Sequence, residues 1–263
     1  MLIDFHTHCF PDHLAPKALQ NLQQVVHRAP CTDGTSKDLL EKCGGWGVDA
    51  AVCLNIATSP AHQTKVNDFA ISINDRQQIF AFGSVHAENP DAVQEIYRLH
   101  EAGILGIKLH PDFQNFDVLD RRMVPIYDAC AEVGMLCLFH SGRDPISPDH
   151  VHVQPDQILR IRKLFPRLRM ILAHMGGLSM WDEVEEKLLG TGIFMDTAYT
   201  KGQLPPEQFV RMIHKHGAEN ILFGSDCPWQ SSRETADYID SLPISSVEKD
   251  RIYYQNAKEL LQM

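Results

Sequence analysis

The stretch MLCLFHSG, residues 135–142, is a short apolar run that ends in a histidine, a serine and a glycine. Such a run is typical of a strand that is buried on both faces of a parallel sheet. Seven similar runs divide the rest of the chain: LIDFHTH (2–8), AAVCLNIA (50–57), IFAFGSV (79–85), ILGIKLH (104–110), RMILAHMG (169–176), IFMDTAY (193–199) and ILFGSDCP (221–228). The sequence therefore predicts eight strands.

Amphipathic stretches separate most of these runs, and several begin at Pro, Ser or Asp and end at Gly, as helices do. The clearest are residues 91–103, 124–134, 155–165, 206–217 and 246–262. Strand followed by helix, eight times, predicts an α/β fold, the (β/α)8 or TIM barrel, as a single domain over residues 1–263. We expect the section 11–47 to be a loop-plus-helix excursion that covers the barrel mouth.

Charge and hydropathy limit the partners. Lys and Arg number 24 against 34 Asp and Glu, a formal charge of −10, and there is no basic run. Nucleic acid and anionic membranes are therefore poor partners. No apolar run approaches the length of a membrane span, and no charged-then-apolar leader precedes the first strand. We expect a cytoplasmic enzyme that acts on a small molecule and can assemble as a homo-oligomer.

Seven cysteines are scattered without a C-x-x-C spacing. Two of them, Cys53 and Cys137, lie inside apolar runs, where a thiol behaves as a small hydrophobic group. An odd number with scattered spacing indicates reduced thiols, which agrees with a cytoplasmic location.

Six of the fourteen histidines fall at or just beyond the ends of predicted strands: His6, His8, His86, His110, His140 and His174. Two more, His150 and His152, lie in the loop after strand 5. Because the carboxyl ends of all strands in a parallel barrel point to one face, and that face carries the active site in barrel enzymes, these residues are predicted to meet there.

His6 and His8 stand two residues apart on one strand, so their side chains project to the same side. Two converging imidazoles suit Zn, Ni, Fe or Mn, although H-x-H alone is a weak signal. His140 and His174 each end an apolar run before a glycine, in the same relative position on consecutive strands. Either alone could be a hydrogen-bonded core residue, and Asp226 alone could be a turn residue. Together they predict a mixed nitrogen and oxygen metal site.

Lys108 lies in GIKLHPD, where a charged and unpaired lysine inside the barrel would be unfavourable. It is expected to pair with a carboxylate such as Asp112 or Asp226, or to be carboxylated and bridge two metal ions. Arg143, just after strand 5, could bind a substrate carboxylate through its guanidinium. It could equally be an exposed charge at the rim.

The set of residues resembles the amidohydrolase superfamily. The segments that carry the likeness are DFHTH (4–8), GIKLHP (106–111), LFHSG (138–142), LAHMGG (172–177), FGSDCPW (223–229) and QNAKELL (255–261). They are most similar to the amidohydrolase-related branch that includes aminocarboxymuconate-semialdehyde decarboxylase-like enzymes. Decarboxylases of that branch tend to be longer, and a lysine on strand 4 is more similar to the binuclear members.

The resemblance implies a divalent metal, with Zn²⁺ as the first expectation and one or two ions. His6, His8, His140 and Asp226 would hold the main ion, and a second would use His140, His174 and Lys108. Asp226 and His174 are the expected catalytic residues. Hydrolysis of an amide, ester or lactone is the leading activity, and decarboxylation of an unsaturated or aromatic acid is the alternative. A metal-free or non-enzymatic barrel is a third possibility.

Overall fold

The computed structural model describes residues 1–263. It contains eight strands, all short and almost wholly buried. They are β1 (Ile3–Thr7), β2 (Ala50–Leu54), β3 (Ile79–Phe82), β4 (Gly106–Leu109), β5 (Leu136–Phe139), β6 (Arg169–Leu172), β7 (Phe194–Asp196) and β8 (Ile221–Leu222).

The strands pair in parallel in chain order, β1 to β3 in one sheet and β4 to β8 in another. Two sets of backbone contacts close the ring. The Gly83 N–H donates to the Gly106 carbonyl between β3 and β4, and the Phe5 N–H donates to the Phe223 carbonyl between β8 and β1. The predicted (β/α)8 barrel is therefore confirmed.

Helices connect the strands on the outside of the barrel. They are α1 (Ala15–Val26), α2 (Ser36–Trp46), α3 (Gln63–Ile73), α4 (Ala92–Glu101), α5 (Pro111–Gln114), α6 (Val124–Val133), α7 (Pro155–Leu164), α8 (Trp181–Lys187), α9 (Pro206–His216), α10 (Ser232–Ser241), α11 (Ser246–Asp250) and α12 (Asn256–Leu261). None of them is long and apolar enough to cross a bilayer.

Two sections differ from their predicted form. The excursion 11–47 contains two helices, α1 and α2, and its loop reaches the end of β8, where the Cys31 N–H donates to the Pro228 carbonyl. The predicted final helix over 246–262 is three joined segments, α11, a π-helical turn at Arg251–Gln255, and α12. Leu260 and Leu261 on α12 belong to the same buried apolar cluster as Leu136, the first residue of β5.

An irregularity in β1 affects which side chains reach the polar site. Asp4 pairs with Ala51 and Thr7 with Cys53, so two residues of β1, Phe5 and His6, oppose one residue of β2. Such a bulge bends the strand and breaks the alternation of faces. Phe5 thereby packs in the apolar cluster that fills the barrel, in edge contact with Phe82, while the next residue, His6, also reaches the polar site above it.

Candidate functional site

Three of the predicted residues form a compact group at the carboxyl end of β1 and β8. The Nε2 atoms of His6 and His8 each lie 3.3 Å from Oδ1 of Asp226. The side chain of His6 is 2% exposed, and those of His8 and Asp226 are 14% and 13% exposed. We call His6, His8 and Asp226 the β1/β8 cluster.

Hydrogen bonds fix which ring nitrogen of each histidine faces this cluster. Nδ1 of His6 lies 2.8 Å from Oδ2 of Asp196, and Nδ1 of His8 lies 2.9 Å from the Leu54 carbonyl oxygen. Since both oxygens accept, each Nδ1 carries the proton and each Nε2 presents a lone pair, an assignment made from the partners. Two lone pairs and a carboxylate oxygen thus face one another, an arrangement that a divalent cation fits.

Asp196, on β7, is the hydrogen-bond acceptor that supports the β1/β8 cluster. One of its oxygens accepts from His6, and the other accepts from the backbone N–H groups of His174 and Ala198. The carboxylate is fully buried, and burial raises its pKa. This residue was not among those predicted from the sequence. The only indication in the sequence was that Asp196 is a charged residue inside the otherwise apolar run IFMDTAY.

His174 and His140 form a chain beside the β1/β8 cluster. Nδ1 of His174 lies 2.9 Å from the Ala198 carbonyl oxygen, and its Nε2 lies 3.1 Å from Nδ1 of His140. The ring centres of His174 and His6 are 5.3 Å apart. The structure thus brings all five predicted residues to one end of the barrel, but His140 stands outside the tight group of His6, His8 and Asp226.

His140 faces a second polar group at the end of β4 and β5, which we call the β4/β5 cluster: His110, Asp112, His140 and Asp144. Nε2 of His140 lies 3.4 Å from Oδ2 of Asp144. The rings of His110 and His140 are stacked, 4.2 Å apart and 7° from parallel. The sequence placed His110 at a strand end and named Asp112 only as a partner for Lys108. Asp144 was missed.

Lys108 points into the barrel and is 1% exposed. Its Nζ lies 3.5 Å from Nε2 of His6, and no carboxylate lies within salt-bridge distance. The expected ion pair with Asp112 or Asp226 is therefore not formed. Burial lowers the pKa of Lys108 to about 8, against the opposing charges of Asp196 and Asp226. Carboxylation of Lys108 stays a prediction.

The site's other ionisable groups respond to burial in opposite ways. Burial, followed by the charge of Lys108, holds the pKa of His6 and of His110 well below 6.5. Burial and the neighbouring His110 do the same for His140. Burial raises the pKa of Asp144 to about 6. For Asp226, burial acts to raise the pKa but is outweighed by the contact with His8 and by the nearby imidazoles of His6 and His174, so the pKa lies below the ordinary value.

Two predicted residues hold a left-handed backbone. His174 has a φ of 59° and Asp226 a φ of 71°. This conformation is uncommon for residues other than glycine, and such strain concentrates at functional sites. Both residues lie just past the end of their strands, so the turn aims their side chains across the barrel mouth.

Other candidates lie elsewhere. Arg143 is exposed and its side chain makes no ion pair. His86 is buried, and its Nδ1 accepts from the Glu88 N–H, so it is a hydrogen-bonded structural residue. His150 binds Asp117 at 2.7 Å on the outer face of the loop after β5.

Comparison with known proteins adds the family. The sequence model of the Amidohydrolase family matches residues 3–263. A curated relative, gamma-resorcylate decarboxylase from Polaromonas sp. strain JS666, is 28% identical over 116 residues. That match covers 38% of this chain and 36% of the relative, so it spans about a third of the length of that protein.

Two solved structures share the fold over nearly the whole chain. An uncharacterized TIM-barrel protein from Bordetella bronchiseptica has a TM-score of 0.81 at 20% identity, covering 99% of this chain and 98% of its own. A dihydroxybenzoic acid decarboxylase from Polaromonas sp. JS666, solved with manganese and the inhibitor 2-nitroresorcinol, has a TM-score of 0.70 at 16% identity, covering 99% and 96%. With the family model matching from β1 to the last helix, the chain belongs to the amidohydrolase family.

Proposed function

We propose that this protein is a metal-dependent decarboxylase that removes carbon dioxide from a carboxylated aromatic or unsaturated acid. The observation that carries the reaction class is the similarity to gamma-resorcylate decarboxylase, supported by the likeness to a dihydroxybenzoic acid decarboxylase. The sequence alone ranked hydrolysis first, and these relatives favour decarboxylation instead. The geometry of the site supports the roles of individual residues.

His6, His8 and Asp226 are the residues that would hold a divalent ion, because their lone pairs and carboxylate oxygen already face one another. When bound there, such an ion supplies positive charge that polarises the substrate oxygens and lowers the pKa of a ring hydroxyl. The manganese in the Polaromonas enzyme supports a divalent ion. Zn²⁺ stays a prediction.

Asp226 is the proposed proton carrier. Because its pKa lies below the ordinary value, it is ionised at neutral pH and ready to accept a proton. It takes the proton of the substrate hydroxyl and gives it to the ring carbon that bears the carboxylate. The bond between that carbon and the carboxylate then breaks, its electron pair returns to the ring, and carbon dioxide leaves. The phenolate product takes up one proton from water on release, which balances the reaction.

His174 and Lys108 are proposed to hold the substrate. The Nδ1–H of His174 donates to the Ala198 carbonyl oxygen. Nε2 of His174 is therefore the nitrogen that can contact a substrate oxygen or carry a proton. Lys108 is a buried cation without a carboxylate partner, and its Nζ can bind an anionic substrate oxygen. Arg143 remains a weaker candidate for that role because it is exposed.

A substrate panel tests the reaction class. Metal-free protein is reconstituted with Mn²⁺ or Zn²⁺ and incubated with dihydroxybenzoates, other carboxylated phenols, lactones and amides, and products are identified by mass. We expect loss of carbon dioxide from a carboxylated phenol, dependent on added metal. The matched controls are metal-free protein and Asp226→Asn. Addition of water to a lactone or amide, with no carbon dioxide released from any acid, would contradict the proposal and restore hydrolysis.

A further inference from the structure

A third group of metal-ligand side chains lies outside the two clusters described above. It consists of Asp117, in the segment between α5 and α6, and of His150 and His152, in the loop between β5 and α7. One ligand atom of each side chain lies within 4.8 Å of the other two. None of the three residues belongs to the β1/β8 or the β4/β5 cluster, so the group is independent of the proposed reaction.

A single carboxylate oxygen faces both imidazoles of this group. Oδ1 of Asp117 lies 2.7 Å from Nε2 of His150 and 3.2 Å from Nδ1 of His152. The two rings are nearly perpendicular, at 87°, and their centres are 4.4 Å apart. Ligands on a tetrahedral Zn²⁺ ion with bonds of about 2.0–2.1 Å are separated by about 3.4 Å. Small side-chain rotations are therefore enough to bring the three atoms onto one ion.

His152 has an unpartnered nitrogen that an ordinary surface hydrogen bond does not explain. Its side chain is only 12% exposed, and its buried Nδ1 has no hydrogen-bond partner. The bond between His150 and Asp117 accounts for those two residues alone. Because buried polar atoms almost always have a partner, Nδ1 of His152 indicates a position beside Asp117 that a ligand can occupy.

Backbone hydrogen bonds hold the two segments in place. The Val118 N–H, next to Asp117, donates to the His152 carbonyl at 3.3 Å. The His150 N–H donates to the Ser147 carbonyl at 3.1 Å. The backbone around all three ligands is thus set before an ion binds, and only side-chain torsions have to change. Such preorganisation lowers the entropy lost on binding.

We propose that Asp117, His150 and His152 bind a divalent cation of the Zn²⁺ type, with water in the remaining position. Two imidazole nitrogens and one carboxylate oxygen are ligands that Zn²⁺ accepts together. The side chains of His150 and Asp117 are 55% and 46% exposed, so the ion enters directly from solvent. It joins the segment after α5 to the loop after β5, and it leaves His140 available to the ion predicted at the β1/β8 cluster.

Counting bound ions tests this site without any assay of activity. Chelator-treated protein is dialysed against increasing Zn²⁺ at neutral pH, and bound metal is measured by elemental analysis together with isothermal titration calorimetry. We expect His150→Ala and Asp117→Ala each to bind one ion fewer than the wild-type protein, because each removes a ligand of the same ion. The double variant should lose that one ion and no more. Circular dichroism checks that each variant folds.

Asp149→Ala and His62→Ala are the matched controls, because each removes one exposed carboxylate or imidazole outside the group. Both should bind as many ions as the wild-type protein. The proposal is overturned if either ligand variant binds as many ions as the wild type, which is the result expected of a hydrogen-bonded pair without an ion. It is also overturned if a control loses an ion as well, since binding would then be nonspecific. None of these outcomes depends on which reaction the protein catalyses.

Discussion

The β1/β8 cluster and the β4/β5 cluster use the same residue types at the same end of the barrel but are supported differently. In the first, every histidine has its Nδ1 held by an oxygen, from Asp196 or from the Leu54 carbonyl. In the second, Nδ1 of His110 and both oxygens of Asp112 have no partner. One cluster is oriented by the protein alone, and the other is left incomplete.

This difference indicates how each cluster responds to an ion. Residues fixed by hydrogen bonds bind a metal with little reorganisation, and their supporting partners set its affinity. We therefore expect changes at the β1/β8 cluster to have the larger effect on metal binding and on activity.

The largest effect is expected for Asp226→Asn. An amide oxygen can still bind a metal, but an amide cannot accept and return a proton at neutral pH. Groups that transfer protons contribute about 10²–10⁴-fold, so turnover should fall by at least that order while much of the metal stays bound. Turnover and elemental analysis on the same preparation provide the measurement, with the exposed Asp149→Asn as control. Near-normal turnover with metal in place would mean that His174 or another group is the proton carrier.

A smaller effect is expected for Asp196→Asn. Asp196 is a positioning residue that holds Nδ1 of His6, and loss of such a partner typically weakens metal affinity by about 10–100-fold. Calorimetric titration with Mn²⁺ should show this weakening of metal binding. Asp237→Asn, on the exposed face of α10, is the control. An unchanged affinity for Mn²⁺ would show that Asp196 does not position His6 for metal binding.

The smallest effect concerns how the stability of the metal-free protein depends on pH. The protein should stay folded when the metal is removed, because a core of this size does not need it. The pKa of His110 is lowered on folding by burial, so below 6.5 the unfolded chain binds a proton that the folded one does not. The contribution of His110 to the free energy of unfolding is therefore fully present above pH 6.5. It is lost as the pH falls below 6.5, by about 1.4 kcal/mol per pH unit.

Urea unfolding of metal-free wild-type protein and His110→Asn at pH 7.5, 6.5 and 5.5 measures this effect. As the pH falls, the wild-type protein should lose stability relative to the variant. Asp4, whose pKa burial raises to about 6, acts in the opposite direction but is common to both proteins. His62→Asn, at an exposed position, is the control and should follow the wild type. A constant difference between wild type and His110→Asn would show that His110 titrates normally in the fold.

The barrel could be predicted from the sequence because its strands are buried on both faces and read as apolar runs. The predicted strands extended beyond the ends of the observed strands, however. AAVCLNIA was predicted to residue 57, whereas β2 ends at Leu54. The runs stay apolar beyond the last ladder hydrogen bond, because the first loop residues are buried at the barrel mouth as well.

The site was predictable where a polar residue directly ended an apolar run, as at His140 and Asp226. A site residue was not predictable where its position depends on a loop or an irregular strand. Asp144 reaches the site through the loop after β5, and the bulge in β1 that places Phe5 and His6 together leaves no periodic signal. Asp196 was read as part of a strand, since its role depends on two histidines distant in sequence.

Anomalous diffraction from crystals of the Mn²⁺-loaded protein tests the central claim most directly, because it locates each ion without reference to activity. We predict a strong peak bounded by His6, His8 and Asp226. A fully loaded protein with no peak at the β1/β8 cluster would contradict the account of this site.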